Sequence, residues 1–321
     1  MTSTTRPAGA AQPAGQGAPA GSIEAVPVRH PGRWVAAVVV LLLAAALIQS
    51  LATNPNLDWP TVGEYLFKDL TLRGIWVTVY LTVAAMLIGV VGGVVVAVMR
   101  LSDNPVLSGV AGVFVWAFRG TPLLVQIIFW GFLGVFYPTL SFGIPFGGPT
   151  FWSAPTSEVV TPTIAALLAL GLNEMAYASE IVRAGILAVD HGQTEAAHSL
   201  GMTPNLTMRR IVLPQAMRVI VPPMGNETIT MLKSTALVSV ISGADLLTNL
   251  QTVYAQNFKV IPLLVVASIW YLVLVTLLSI PQARLERRYG RGVSRSPRAG
   301  GSMSRLFGSW RRTPAAGGDA R

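Results

Sequence analysis

Residues 194–216 read TEAAHSLGMTPNLTMRRIVLPQA. The stretch has no long apolar run before Ile211, yet it lies between two apolar segments of an otherwise hydrophobic chain. Its local chemistry is that of a small capped module. Asp190 can cap a helix, and Gln193 three positions on completes a capping-box pattern. The helix runs through Glu195, Ala196 and Ala197 to about Leu200, and Gly201 suits the left-handed position that ends it. Thr203 and Pro204 suit the start of a second helix, and Pro214 and the pair Pro222-Pro223 interrupt the chain beyond it. Small side chains at Ala196 and Ala197 let another protein's surface approach closely. A loop helix packed on its own protein would carry the same residues, and local physics leaves the two readings equal.

The composition says what surrounds this module. Of 321 residues, 52% are hydrophobic and 12% charged, against about 25% charged in an ordinary soluble domain. With a mean hydropathy of +0.57, the chain reads as an all-α, polytopic membrane protein. There are no cysteines, which excludes disulfides, thiolate catalysis and Cys-ligated metals. The net charge of +9 is uneven: ten arginines fall in 284–321 against Glu286 and Asp319. No folded nucleic-acid module accompanies this tail, so it reads as a cytoplasmic flank that touches anionic lipid, not as a nucleic-acid site.

Residues 1–33, rich in Ala, Gly, Pro and Thr, are expected to be a disordered cytoplasmic tail. Six spans are expected. The first is Trp34 to about Ala52; the alternative, a cleaved signal peptide ending at Ser50-Leu51-Ala52, requires an unusually long leader. A polar loop over 54–73 precedes Ile75–Met99, which is 25 residues without a charge where about 20 suffice. Gly89 and Gly93 within it suit close helix packing. Residues 106–118 are short and are expected near the inner interface. Thr121 and Pro122 open a third span to Tyr137, and 138–162 is a loop. The fourth span covers Pro162–Leu187, the fifth Val219–Ile241 with a break at Pro222-Pro223, and the last Val260–Pro281. Both termini then face the cytoplasm of the plasma membrane with Arg29, Arg33, Arg100, Arg209, Arg210 and the basic tail, as the positive-inside rule asks. The module at 188–214 is cytoplasmic.

The spacing Glu195-Ala196-Ala197, Gly201, Ile211, Leu213-Pro214 resembles the EAA loop of binding-protein-dependent ABC importer permeases. RGTPLLVQ at 119–126, AYASEIVRAGI at 176–186, LPQAMRVIVPPMGNE at 213–227 and LKSTALVSVI at 232–241 are similar to motifs of the polar amino acid branch. The resemblance covers residues 70–290. It implies a five-helix transmembrane domain with one extra N-terminal helix at 34–53, and a basic disordered tail at 291–321. It implies that the opening stretch docks on a separate cytoplasmic ATPase dimer that binds ATP and magnesium, that an extracytoplasmic amino-acid-binding protein delivers substrate, and that a second permease subunit completes the pathway. Arg119, Gly120, Thr121 and Pro122 are then structural. The chain departs from the family in KSTAL at 233–237, where KDTSL or similar is common. It has no Gly-x4-Gly-Lys-Ser/Thr loop and so no P-loop ATPase activity of its own.

Charges within spans default to functional hypotheses. In the fourth span Asn173, Tyr177 and Glu180 share a face, with Glu174 beside it and Arg183 one turn on. In the fifth, Asn226, Thr230 and Lys233 share a face, flanked by Glu227 and Ser234. A zwitterionic amino acid needs partners of both signs, so Glu174, Tyr177, Asn226, Glu227, Thr230 and Lys233 are candidates for the substrate path. Glu180 and Arg183 read instead as a structural ion pair near the inner interface, and Glu227 with Lys233 as a pair between helices if they do not meet substrate. His191, Glu195 and His198 share one face, but two histidines and a carboxylate in an exposed loop fall short of the usual zinc set, and no metal is expected. An ion-coupled secondary transporter of amino acids is the main rival reading; it would show two related halves and would not need the EAA segment. A membrane enzyme is the weaker rival, for want of a catalytic set in the spans.

Overall fold

A computed structural model describes residues 31–144 and 148–289. Of the tails expected at 1–33 and 291–321, residues 1–30 and 291–321 lie outside the described residues. Helix α1, Pro31–Thr53, starts three residues before the expected Trp34 and forms a compact unit by itself. Its 23 residues extend about 34 Å at 1.5 Å per residue, enough for a hydrocarbon core of about 30 Å.

The second unit begins at Pro55. The expected loop at 54–73 instead holds helix α2, Trp59–Leu66, capped by Asp58, and the start of helix α3, Asp69–Arg100. The charges there that suggested a loop form i,i+4 pairs, Glu64 with Lys68 and Asp69 with Arg73, each at 2.7 Å, of the kind that supports helix. Helix α4, Pro105–Gly120, comes next with Asn104 as its cap, and helix α5 is Leu123–Gly131. This corrects the third span: α5 has nine residues, about 14 Å, and cannot cross alone. Residues 106–118 lie in α4, which reaches spanning length only together with α5, as a pair bent by 101° that is a broken span or a re-entrant loop. Pro122 cannot donate a helical hydrogen bond, and the residue before a proline is steered to extended backbone; Thr121 accordingly has φ −114° and ψ 142°. Thr121 therefore ends one helix and does not cap the next, its hydroxyl donating to Ala117 O at 2.8 Å.

Helix α6, Leu133–Phe136, leads into an antiparallel hairpin, β1 Thr139–Gly143 and β2 Thr150–Pro155, where only a loop was expected. Helix α7, Thr156–Val159, and helix α8, Pro162–Leu187, complete this stretch. The coupling segment contributes α9, His191–Ser199, and α10, Pro204–Thr207. Helix α11, Leu213–Ser234, runs unbroken through Pro222 and Pro223. The prolines remove two donors, those that would meet the carbonyls of Arg218 and Val219; separately, Gln282 Nε2 of the last helix donates to Pro222 O at 2.8 Å. A 3-10 segment covers Thr235–Ile241, then come α12, Leu246–Asn257, and α13, Val260–Tyr289. α13 continues past Pro281, the expected end of the last span. Four helices are each long and apolar enough to span a membrane, and six spans result if the two bent pairs, α4 with α5 and Pro204–Ile241 with α12, count as one each.

Helices α3 and α8 form the centre of this unit. A Cβ at Gly89 would stand 2.3 Å from Glu174 Cγ, and one at Gly93 2.7 Å from Ala178 Cβ. The small-residue pair read from the sequence is thus where α8 presses on α3. One core joins Leu81 and Met86 of α3, Ile127 of α5, Leu170 of α8, Met231 of α11 and Val238. A second joins Val62, Leu246, Leu250, Leu263 and Val266 of α2, α12 and α13. There the Trp270 indole donates to Leu66 O at 2.7 Å.

Candidate translocation site and coupling segment

The bend between α4 and α5 is held from α8. Cutting a helix at Gly120 leaves carbonyls without intrahelical donors. The Gln126 amide supplies them, donating to Phe118 O at 2.9 Å, Thr121 O at 3.1 Å and Thr121 Oγ1 at 2.8 Å. Asn173 then donates to Phe118 O at 3.1 Å and Gln126 Oε1 at 3.2 Å. Both amides are buried. Asn173, read from the sequence as sharing a face with Tyr177 and Glu180, is therefore the clasp between the bent pair α4–α5 and α8.

The clasp fixes Arg119 in the last turn of α4. Its guanidinium lies 5.2 Å from the centre of the Tyr177 ring, a cation–π distance. The two line a cavity of about 420 Å³ with Glu180, Ile181, Ala184, Val219, Pro223 and Glu227. Its walls come from three elements far apart in sequence, α4, α8 and α11. Glu180 is already matched: Arg183 Nη2 lies at 2.8 Å and Arg100 Nε at 3.6 Å. Among the described residues, neither Arg119 nor Glu227 has an ion-pair partner within 4.0 Å. One cavity thus exposes a cation and a carboxylate that are both outside any ion pair, together with a phenol.

The sequence candidates divide around this cavity. Tyr177 and Glu227 line it. Glu174 does not: it is 3% exposed, packed against Gly89, and its Oε1 has no hydrogen-bond partner. Asn226, Thr230 and Lys233 form an exposed face of α11, and no ion pair joins Lys233 to Glu227 among the described residues. The Glu180–Arg183 pair forms as expected, with Arg100 as a third member. Arg119, read as structural with Gly120, Thr121 and Pro122, also lines the cavity. The available signal was a cation set immediately before a helix break.

The coupling segment folds largely as its residues dictate. The Asp190 carboxylate accepts from Gly192 N at 2.7 Å, one residue short of the Gln193 contact a capping box would use. At the other end Gly201 has φ +77°. Its N–H donates to His198 O at 2.9 Å and Met202 N–H to Ala197 O at 3.1 Å, the paired bonds of a Schellman ending. Thr203 stands at the start of α10 without a side-chain cap bond. Ala196 and Glu195 are exposed while Ala197 is 4% exposed, and Leu200 beside them is 84% exposed. The two small residues therefore do different things: Ala197 packs inward and Ala196 faces out. Ile211 is half-buried, and Leu213 and Pro214 are exposed. A π-helical turn over Met208–Val212 joins α10 to α11 just before Pro214, which lacks a helical donor. His191 and His198 border a small cleft with Thr194 and Thr207. No three histidine or acidic side chains form a metal-holding group among the described residues.

The structure thus combines apolar helices of spanning length, a bent helix pair, a cavity beside the bend lined by Arg119 and Glu227, and a capped helix α9 between α8 and α11. Comparison with known proteins gives its family. Residues 89–291 match the binding-protein-dependent transport system inner membrane component, and the chain belongs to that family of ABC importer permeases. It is 44% identical over 276 residues, 85% of each chain, to the arginine transport system permease protein ArgU of Corynebacterium glutamicum. It is 34% identical to the L-cystine transport system permease protein TcyB of Bacillus subtilis over 77% of this chain and 98% of that one. Among solved structures, an amino acid ABC transporter crystallised with histidines aligns with a TM-score of 0.58 at 37% identity, covering 68% of this chain and 94% of its own. The inward-facing MetNI methionine transporter, at 21% identity and a TM-score of 0.53, shares the fold.

Proposed function

We propose that this chain is the permease subunit of an importer that moves a polar amino acid into the cytoplasm, driven by a separate ATPase docked on α9. The observation that carries the reading is the form of α9. It is fixed at both ends by Asp190 and Gly201, and it presents Ala196 and Leu200 outward beside the inward-packed Ala197. An exposed leucine on a short, rigid, small-faced helix is a docking surface for a groove on a partner. ATP and magnesium belong to that partner, a dimer of ATPases. An extracytoplasmic binding protein presents the substrate, and a second permease subunit faces the first across the path. Both termini lie in the cytoplasm.

The substrate class is drawn from the cavity and the relatives. Arg119 suits an α-carboxylate and Glu227 an α-ammonium or a cationic side chain, with Tyr177 between helices as a polar wall. The volume of about 420 Å³ lies within the range of small-molecule sites. The match to an arginine permease makes L-arginine the first probe.

The test uses the permease co-expressed with its ATPase and binding protein. Ala196→Arg should leave the chain inserted in the membrane and abolish co-purification of the ATPase. Normal capture and uptake would refute docking through α9. Arg119→Gln and Glu227→Gln should each assemble normally and lower L-arginine uptake about tenfold or more, the scale of a lost charge-assisted hydrogen bond. Wild-type uptake in both would remove the cavity from the path.

A further inference from the structure

The hairpin β1–β2 takes no part in the cavity or in α9. Its register pairs Leu140 with Ala154, Ser141 with Ser153 and Phe142 with Trp152. Directly paired residues share a face and successive residues alternate. One face therefore carries Leu140, Phe142, Trp152 and Ala154, and the other Thr139, Ser141 and Ser153. The ribbon is amphipathic. Its apolar side is only partly covered: Leu140 and Ala154 are half-buried, but Phe142 is 72% exposed and Trp152 50%. Phe151, at the irregularity in the ladder, is 67% exposed, with its ring centre 6.5 Å from that of Phe142.

A two-stranded hairpin with no covering layer is marginal in water, so a surface that accepts aromatic rings is implied. Its composition selects the surface. From Gly120 to Ser157 there is not one Asp, Glu, Lys or Arg, whereas protein-docking faces carry a polar or charged rim. The segment leading to the hairpin is apolar and exposed as well, at Phe129 of α5, Phe132 between α5 and α6, and Val135 and Phe136 of α6. A hairpin cannot sit in hydrocarbon, because its open edges would leave backbone groups unpaired. It can lie at the lipid–water boundary, where Trp and Tyr concentrate and where the Ser/Thr face and the strand edges reach water.

We infer that the ribbon of paired strands, Thr139–Gly143 and Thr150–Pro155, is a membrane-interface anchor. It lies flat on the bilayer at the end of the spans opposite α9, with Phe142 and Trp152 in the lipid headgroup boundary. The inference is independent of which solute is moved.

The absence of cysteine makes the test direct. Single variants Phe142→Cys, Trp152→Cys, Ser141→Cys and Ser153→Cys of the full chain are labelled with a nitroxide and placed in nanodiscs of phosphatidylcholine and phosphatidylglycerol. Collisions with oxygen, which partitions into lipid, and with a nickel chelate, which stays in water, are read by electron paramagnetic resonance. Labels at 142 and 152 should show a severalfold higher oxygen-to-nickel ratio than labels at 141 and 153. Equal ratios at all four sites, or shielding from both reagents at 142 and 152, would overturn the assignment. Access to nickel at 142 and 152 that disappears only when the binding protein is added would overturn it too, in favour of a protein-docking face. Phe142 and Trp152 lie on different strands, so either label alone decides the matter if the other variant does not insert.

Discussion

Replacing Gln126 and Asn173 tests whether the clasp sets the geometry of the cavity. Gln126→Leu removes three donor contacts to Phe118 and Thr121 and leaves Asn173 with one acceptor of two. Unpaired buried carbonyls cost about 1–3 kcal/mol each in water-soluble proteins. Hydrogen bonds between membrane helices average about 0.6 kcal/mol with a maximum near 1.7, because the unfolded chain in lipid also finds partners. Phe118 O keeps the Asn173 bond, so one carbonyl, that of Thr121, is fully orphaned. Gln126→Leu should therefore destabilise the folded chain by about 1–2 kcal/mol. Asn173→Leu orphans Gln126 Oε1 and should cost about the same. The two share one direct bond, 3.2 Å from Asn173 Nδ2 to Gln126 Oε1, so the double variant should cost less than the sum by about 0.6–1.7 kcal/mol. Equilibrium unfolding of the four proteins in mixed micelles, as detergent composition is varied, measures that coupling. Strict additivity, with each single variant within about 0.5 kcal/mol of wild type, would show that Gly120-Thr121-Pro122 sets the bend without help from α8.

The packing and the ion pairs give two more outcomes. Gly89→Leu should lower stability by about 1–3 kcal/mol through overpacking, because a Cβ there already meets Glu174 at 2.3 Å; Gly109→Leu, with nothing within 4 Å of its Cβ, should leave thermal unfolding nearly unchanged. Lys259 donates to the Asp58 carboxylate at 2.8 Å and to Thr61 Oγ1 at 2.8 Å, tying α13 to α2. These bonds hold the Asp58 carboxyl below the usual carboxylate range and the Lys259 ammonium above its ordinary value. The stabilisation is fully present above the unfolded Asp value of about 3.9 and below the unfolded Lys value of about 10.4. It is lost as pH falls through the lowered Asp58 value or rises through the raised Lys259 value. The melting difference between wild type and Lys259→Met should accordingly be constant across neutral pH and shrink below about pH 4; a difference that varies between pH 6 and 8 would assign the effect to another group.

Local rules made much of the molecule legible from its residues. The long uncharged run at 75–99 needs only length and hydropathy to be a helix, and Asp190 and Gly201 end α9 because capping is settled within a few residues. Gly89 and Gly93 announced a close helix contact for the same reason, since absence of a side chain is itself the signal. The failures share a different cause. Pro222 and Pro223 read as a break, yet α11 continues through them, and Gln282, sixty residues away, holds the helix there by donating to Pro222 O. Residues 106–118 and 122–137 read as a surface segment and a span, although tertiary contacts from Asn173 make them two arms of one bent element. That Arg119 lines a cavity and that Glu174 packs in the α3–α8 contact are likewise set by pairings between distant helices. Periodicity and propensity state which face of a helix is polar. Which other helix meets that face, and so whether a charge is matched, orphaned or left open to a solute, is decided only when non-local packing brings α4, α8 and α11 together.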